Sequence, residues 1–207
     1  MIKTCEAPLK KRLLLGTTNP AKVSIVRAAL DPLPVEIVTP ADLDITVDVQ
    51  EDGDSTAENA EKKARAYFAE AGIPTLGIDG GLQIEGLPAE KQPGVLVRRI
   101  HDGERDATDA DVLDHYAREL AQIGGEAIGI WQGSVVLVLS NAQVYAHTYT
   151  FKTRLTSRRR GGVTPGAPLD ALAMDPATGR YFSEMTWQER PDLRWVLELV
   201  RQHLDEL

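Results

Sequence analysis

Apolar positions along this chain switch repeatedly between short continuous runs and three- or four-residue spacing. Leu13-Leu14-Leu15-Gly16 is a continuous run that reads as a buried strand. Asn19 and Pro20 then supply an N-cap and a first helical residue, so a helix is predicted over Pro20 to Leu30 with Val23, Ile25, Val26 and Ala29 available to the core. Val35 to Val38 reads as a second strand. Ser55-Thr56-Ala57-Glu58 has capping-box spacing, and Ala57, Ala60, Ala64, Phe68 and Ala71 follow on one helical stripe that Gly72 ends. Thr75 to Ile78 reads as a buried strand that runs into Asp79-Gly80-Gly81 before Leu82-Gln83-Ile84.

The second half continues the alternation. Thr108 is a good N-cap, and Asp109 and Asp111 complement the positive end of a helix running to about Ile123. Gly133 to Leu139 and Gln143 to Leu155 read as antiparallel strands joined at Ser140-Asn141. Ser157 to Pro168, which contains Arg158-Arg159-Arg160, reads as a loop whose arginines are solvated. Thr186 to Glu189 again has capping-box spacing, ahead of a C-terminal stripe of Leu193, Val196, Leu197, Val200 and Leu204. Strands alternating with helices predict an α/β fold. No repeat, low-complexity segment or linker divides the chain, so residues 1–207 read as one domain with residues 1–10 as a peripheral N-terminus.

Charge removes some functions. The net charge of −8 argues against nonspecific nucleic-acid or anionic-membrane binding, in which cations must neutralise phosphates. It leaves room for a small phosphorylated ligand held by a few local lysines. The single cysteine, Cys5, forms neither an internal disulfide nor a cysteine metal cluster, and fits a reduced cytoplasm. The three leucines after Lys10-Lys11-Arg12 are too short a run for a signal peptide, and no later segment approaches a membrane span.

Lys22 is the first residue with chemical promise. It stands in the first turn of a helix, where free N–H groups and the macrodipole already make the end positive. Either a phosphate sits between the lysine and the helix, or the lysine is solvated at a cost of a few tenths of a kcal/mol. Glu51-Asp52-Gly53-Asp54 precedes the second helix, where acids commonly compensate the dipole. Asp79 closes an apolar strand and meets two glycines, an arrangement that projects a side chain into a crevice at the carboxyl end of a sheet, although Asp-Gly is also a common turn dipeptide. Two carboxylates with Lys22 and Lys63 are the ingredients of a magnesium-dependent triphosphate site, with oxygen ligands for a hard cation and ammonium groups for phosphate charge.

The order of these pieces carries more weight than any one of them. Thr17-Thr18-Asn19 with Lys22, then Glu51-Asp52-Gly53, Glu58-Asn59-Ala60 and Lys63-Ala64-Arg65, then Asp79-Gly80-Gly81-Leu82 and Pro93-Gly94, resembles the inosine triphosphate pyrophosphatase family from about Leu13 to Glu189. No Gly-x-x-x-x-Gly-Lys-Ser/Thr motif is present, so an ordinary P-loop enzyme is not supported. The resemblance implies a mixed sheet bridging two lobes, with flanking helices and a nucleotide cleft between the lobes. It implies hydrolysis of a nonstandard purine nucleoside triphosphate to monophosphate and pyrophosphate, and a homodimer. Thr17, Thr18, Asn19 and Lys22 would cradle phosphates, joined by Lys63 and Gly80. Glu51 and Asp79 would hold Mg2+, for which Mn2+ can substitute, and Asp79 would also act on the attacking water. The catalytic set so implied is Asp79, Lys22 and Lys63, with Asp170 at the base.

Departures accompany the matches. Ile78 stands where the family carries the first aspartate of Asp-Asp-Ser-Gly, and an isoleucine neither binds metal nor moves a proton. Ala167-Pro168-Leu169-Asp170 aligns with a Phe-Gly-Tyr-Asp segment whose aromatic ring stacks on the base. Pro191-Asp192-Leu193-Arg194-Trp195 does not match the family's base-reading Ser-His-Arg, while Ser183-Glu184-Met185 matches the segment before it. Trp187, Arg194 and Trp195 are available to replace the lost contacts, although tryptophans flanking such a helix more often pack against the core. Two functional readings follow: an active pyrophosphatase, and a catalytically weak paralogue that binds nucleotides as a sensor or partner protein.

Overall fold

A computed structural model describes residues 10–100, 107–190 and 194–207. Cys5, the N-terminal stretch before Lys10 and Leu193 lie outside the described residues. Six strands, β1 (Lys11–Leu15), β2 (Val35–Val38), β3 (Thr75–Ile84), β4 (Glu126–Val138), β5 (Val144–Thr156) and β6 (Ala173–Met174), form one sheet in the order β2-β1-β3-β4-β5-β6. β1 is parallel to both β2 and β3, and all later pairings are antiparallel. Four helices accompany them: α1 (Pro20–Leu30), α2 (Thr56–Ala71), α3 (Asp109–Gln122) and α4 (Arg194–Gln202).

The caps form where the side-chain chemistry puts them. Asn19 Oδ1 accepts from the N–H groups of Ala21 and Lys22 at 2.9 and 3.1 Å, and Pro20 opens α1. Ser55 caps α2 through the N–H of Glu58, and Gly72 closes it in the left-handed conformation at φ 67°. The Glu58 carboxylate accepts from the N–H of Asp54, one residue before the position a capping box requires. The capping box at Thr186 does form, but on a short 3-10 turn at Trp187–Glu189 that is separate from α4.

Alternate residues of the strands face opposite layers. Leu13, Leu15, Ile78, Val135 and Leu137 meet α1 and α4 through Val26, Val196 and Val200. Val136 and Val138 meet α2 through Ala60 and Ala64 on the other face. A further cluster at the far end of the long strands joins Leu82, Ile84 and Leu155 to Val112 and Leu120 of α3. β3, β4 and β5 therefore run through both cores, which is the bridging sheet expected from the sequence.

Two strand predictions are corrected. Asp79-Gly80-Gly81 is neither a turn nor the end of a strand, because β3 continues unbroken along β4 through Asp79↔Ser134, Gly80↔Gly133 and Gly81↔Gln132. Its glycines serve close approach, since a Cβ on Gly81 would lie 2.8 Å from the carbonyl oxygen of Gly94. β4 starts at Glu126 rather than Gly133. Gly129 and Gln132 interrupt the apolar pattern there, yet Gly129 faces Leu155 and Thr153 so closely that an added Cβ would sit 2.8 and 2.9 Å from their side chains.

Gly77 sets the distance between α2 and β3. A Cβ there would stand 2.1 Å from the carbonyl oxygen of Ala60 and 2.9 Å from Ala64 Cβ. Backbone cannot yield as a flexible side chain does, so Gly77→Ala is expected to destabilise the fold by about 1–3 kcal/mol. Urea unfolding of the variant checks this, and an unchanged midpoint would contradict the contact.

Candidate active site

β1 pairs with β3 at just two positions, Leu14↔Thr75 and Leu15↔Leu76, and the chain then turns away into α1. Beyond that point β3 has no parallel neighbour, and a crevice opens against Asp79. The crevice arises at the carboxyl end of β1, a topological break of the kind that holds ligands in open α/β sheets. Asp79 reaches it from mid-strand.

Asp79 is 5% exposed, and its Oδ1 accepts from Lys63 Nζ at 2.7 Å and from Lys22 Nζ at 3.4 Å. Lys63 Nζ also lies 2.7 Å from Glu51 Oε2, so one ammonium joins both carboxylates. Asp79 Oδ2 is buried with no hydrogen-bond partner among the described residues. A buried polar oxygen left this way is costly unless a ligand completes it.

The supporting residues explain why these groups meet. Helical spacing puts Thr56, Asn59 and Lys63 on one buried stripe of α2, beside the Ala60–Ala64 contact with the sheet. Thr56 Oγ1 and Ser134 Oγ lie 2.7 Å apart, which fixes the start of α2 to β4. Asn59 Oδ1 accepts from the N–H of Gly53 at 2.8 Å and holds the loop that carries Glu51. A Cβ on Gly53 would lie 2.7 Å from the same oxygen, so this loop passes close to α2.

The two lysines titrate in opposite directions. Burial works against the charge of Lys63, but the charges and hydrogen bonds of Asp79 and Glu51 outweigh it and raise its pKa above 10.5. That contribution to stability is present below 10.5 and is lost as pH rises through the folded value. Lys22 is lowered, first by burial and then by the charge of Lys63, although its side chain retains 26% exposure to the cleft. The fold therefore gains from the charge on Lys63 and carries the charge on Lys22 at a cost. The anion beside the start of α1 in the free protein is Asp79.

A polar cleft of about 400 Å³ contains Thr17, Thr18, Asn19, Lys22, Glu51, Lys63, Asp79 and Gly80, which brings together every residue implied for phosphate and metal. Asp170 lies elsewhere. It lines an adjoining apolar cleft of about 220 Å³ that shares Asn19, Lys22, Asp79 and Gly80 with the first. Asp170 is buried and pairs with Arg190. Burial raises the pKa of its carboxyl, with the Arg190 charge opposing. Arg190, unremarked in the sequence, lies over the rings of Trp187 and Phe182 at 4.1 and 5.2 Å, and its Nε is buried with no partner among the described residues. Ile78 lines the apolar cleft, because neighbouring strand residues face opposite sides.

Three other assignments resolve. Trp195 stacks on His147 and Tyr149 at 4.9 and 5.8 Å, Trp187 on Arg190, and Arg194 over Trp195, so none of the three lines either cleft. Arg158, Arg159 and Arg160 are exposed, as expected for a solvated loop. The end of that loop is fixed instead by Gly166, whose carbonyl accepts from Asn19 Nδ2 at 3.0 Å and whose N–H donates to Asp109 Oδ2 at 2.9 Å. Its φ of +81° and the 2.4 Å from a built Cβ to Asn19 Oδ1 both demand glycine.

Fold and site together define an α/β protein that concentrates lysines, two carboxylates and a capped helix start around an anion-sized cleft. The chain belongs to the Ham1 family, whose model matches residues 13–193. A Thermus thermophilus protein named dITP/XTP pyrophosphatase is 33% identical over 183 residues, covering 86% of this chain and 83% of that protein. An Anaeromyxobacter protein of the same name is 36% identical over 118 residues, which span 55% of this chain and half the length of that relative. A solved HAM1 protein from Coxiella burnetii superposes with a TM-score of 0.73 at 22% identity, covering 95% of this chain and all of that one. These matches bear out the resemblance to the inosine triphosphate pyrophosphatases and the mixed α/β fold. Among the described residues no helix is long and apolar enough to cross a membrane.

Lys63→Met is expected to cost about 3–5 kcal/mol of stability, because it leaves Asp79 buried with its nearer cation removed. The double variant Lys63→Met/Asp79→Leu is expected to recover a large part of that loss. Chemical denaturation of both checks the claim, and a harmless single variant would show that the ion pair does not hold α2 to β3.

Proposed function

We propose that the protein hydrolyses a nonstandard purine nucleoside triphosphate at the α–β bond, giving a nucleoside monophosphate and pyrophosphate. The observation that carries this reading is the division of Asp79, a residue that lines a cleft of about 400 Å³, with Oδ1 held by lysines and Oδ2 buried and without a partner among the described residues. The names of the Thermus and Anaeromyxobacter relatives support the same activity.

A divalent cation fits these residues. Asp79 Oδ2 is an oxygen donor without a partner, and Glu51 presents a second carboxylate on the other side of Lys63. Two carboxylates suit Mg2+, an ion that completes its shell with water and substrate phosphates. Bound there, Mg2+ or Mn2+ supplies charge to the phosphate oxygens and lowers the cost of forming hydroxide. Lys22 and Lys63 neutralise the triphosphate and the departing pyrophosphate, while Thr17, Thr18 and Asn19 position it at the start of α1. Asp79 orients the attacking water, whose proton passes to solvent in the cleft. Water adds to the α-phosphorus, the bond to the bridging oxygen breaks, and the electron pair leaves with pyrophosphate.

The weak-paralogue reading rests on Ile78. The isoleucine faces the apolar cleft, across the strand from the Asp79 carboxylate, which supports an enzyme that retains its metal-side acid. The resemblance also supports a homodimer, a state that light scattering tests directly.

With Mg2+ and a nucleoside triphosphate, pyrophosphate is expected as the first product, and orthophosphate would overturn the reading. Asp79→Asn is expected to lower kcat at least about 100-fold with the fold retained. Near-parental turnover would remove Asp79 from the mechanism.

The lowered pKa of Lys22 gives a pH dependence. Loss of its proton below the ordinary 10.5 removes a phosphate contact, so kcat/KM is expected to fall on the alkaline side earlier than an ordinary lysine would dictate. Lys22→Arg keeps its charge throughout and is expected to abolish that limb. An unchanged alkaline limb in the arginine variant would assign it to another group.

A further inference from the structure

We infer that the nucleotide base is held by an aromatic wall on the sheet itself, formed by Trp131 of β4 with Tyr149 and Phe151 of β5. This deepens the proposed function and rests on it.

Register and alternation build the wall. Trp131 stands directly opposite Phe151, and Tyr149 opposite Gly133, all on the sheet face that carries Ile78. The rings are close to parallel, with Trp131 and Phe151 centroids 6.2 Å apart at 10° and Tyr149 and Phe151 6.3 Å apart at 20°. Trp131 is anchored by its indole N–H, which donates to Thr153 Oγ1 at 3.0 Å. All three side chains line the apolar cleft, and none is fully buried.

Two glycines give the wall its floor. A Cβ on Gly133 would stand 2.3 Å from the Tyr149 ring, so Gly133 is what lets that ring lie against the sheet. A Cβ on Gly80 would meet nothing closer than 3.9 Å, which leaves bare backbone between the rings and Asp79. The passage from the phosphate cleft to the aromatic cleft is therefore open where a sugar must pass. Asn19 and Lys22 also line both clefts, so a ligand whose phosphates sit at Lys22 and Lys63 extends naturally onto the rings.

The occupant is a flat heterocycle with a polar edge. Parallel rings beside bare backbone suit a π face. The buried Arg190 Nε and the Asp170 carboxylate in the same cleft suit the donors and acceptors of a base edge. Ala167 and Pro168 line the cleft without contributing an aromatic ring, and the ring of Phe182 lies beneath Arg190. Stacking thus falls to β4 and β5.

The test separates base contacts from phosphate contacts. For Phe151→Leu and Tyr149→Leu, KM for dITP is expected to rise about ten- to hundredfold with kcat changed far less. Inhibition by inorganic tripolyphosphate, which has no base, is expected to stay within about twofold. Phe151→Tyr and Tyr149→Phe are expected to restore the parental KM, since they keep a ring. In a Trp187→Phe/Trp195→Phe background, dITP is expected to quench Trp131 fluorescence and tripolyphosphate is not. Parental KM in both leucine variants, or equal weakening of dITP and tripolyphosphate, would overturn the wall while leaving the pyrophosphatase reading intact. A parental protein that neither hydrolyses dITP nor binds tripolyphosphate would overturn both.

Discussion

The ion pair between Asp79 and Lys63 is the contact on which the site depends. A carboxylate in the middle of a strand, 5% exposed, needs a partner at hand, and α2 supplies Lys63 because Gly77 allows the helix to lie flush against β3. The same ammonium reaches Glu51, whose loop is tied to α2 through Asn59. Sheet, helix and loop are thereby locked to a single charged nitrogen. One oxygen of Asp79 is consumed in holding the fold, and the other is left without a partner among the described residues.

Strand alternation then separates the tasks. Asp79 and Ser134 face α2, while Ile78, Gly133 and Trp131 lie on the opposite face, Ile78 against α1 and α4 and Trp131 against the cluster that includes α3. A single strand thus carries the charged cleft and the apolar one on consecutive residues, with Gly80 leaving the way between them clear. Asn19 serves the junction twice, capping α1 with its oxygen and holding Gly166 with its nitrogen. A base held on the sheet is compatible with the loss of an aromatic residue from the loop at Ala167-Pro168.

Local chemistry was legible in the sequence and long-range pairing was not. Asn19-Pro20, Ser55, Gly72 and Thr108 act through neighbours a few residues away, and the helices they delimit form where those residues place them. Asp79-Gly80-Gly81 misleads because the turn propensity of Asp-Gly is overridden by a ladder to Gln132, Gly133 and Ser134, more than fifty residues on. The first half of β4 is hidden for a similar reason, since Gly129 and Gln132 make sense only opposite β5. The clustering of Thr17, Asn19, Lys22, Glu51, Lys63 and Asp79 was readable through their order, which the family resemblance supplied. Arg190 was not, because its partner Asp170 is brought to it by irregular turns rather than by any period. The aromatic wall had one visible signal, the alternation of Tyr145, His147, Tyr149 and Phe151 along β5.

In the proposed function Asp79 is shared, with Oδ1 on Lys63 and Oδ2 left to a divalent cation. Crystals grown with Mn2+ and a nucleoside triphosphate carrying a non-hydrolysable α–β bridge test it through anomalous scattering from manganese. An anomalous peak in direct coordination with Asp79 Oδ2 is expected, with Lys63 still bonded to Oδ1. Manganese bound away from Asp79, with Oδ2 hydrogen-bonded to protein instead, would contradict it.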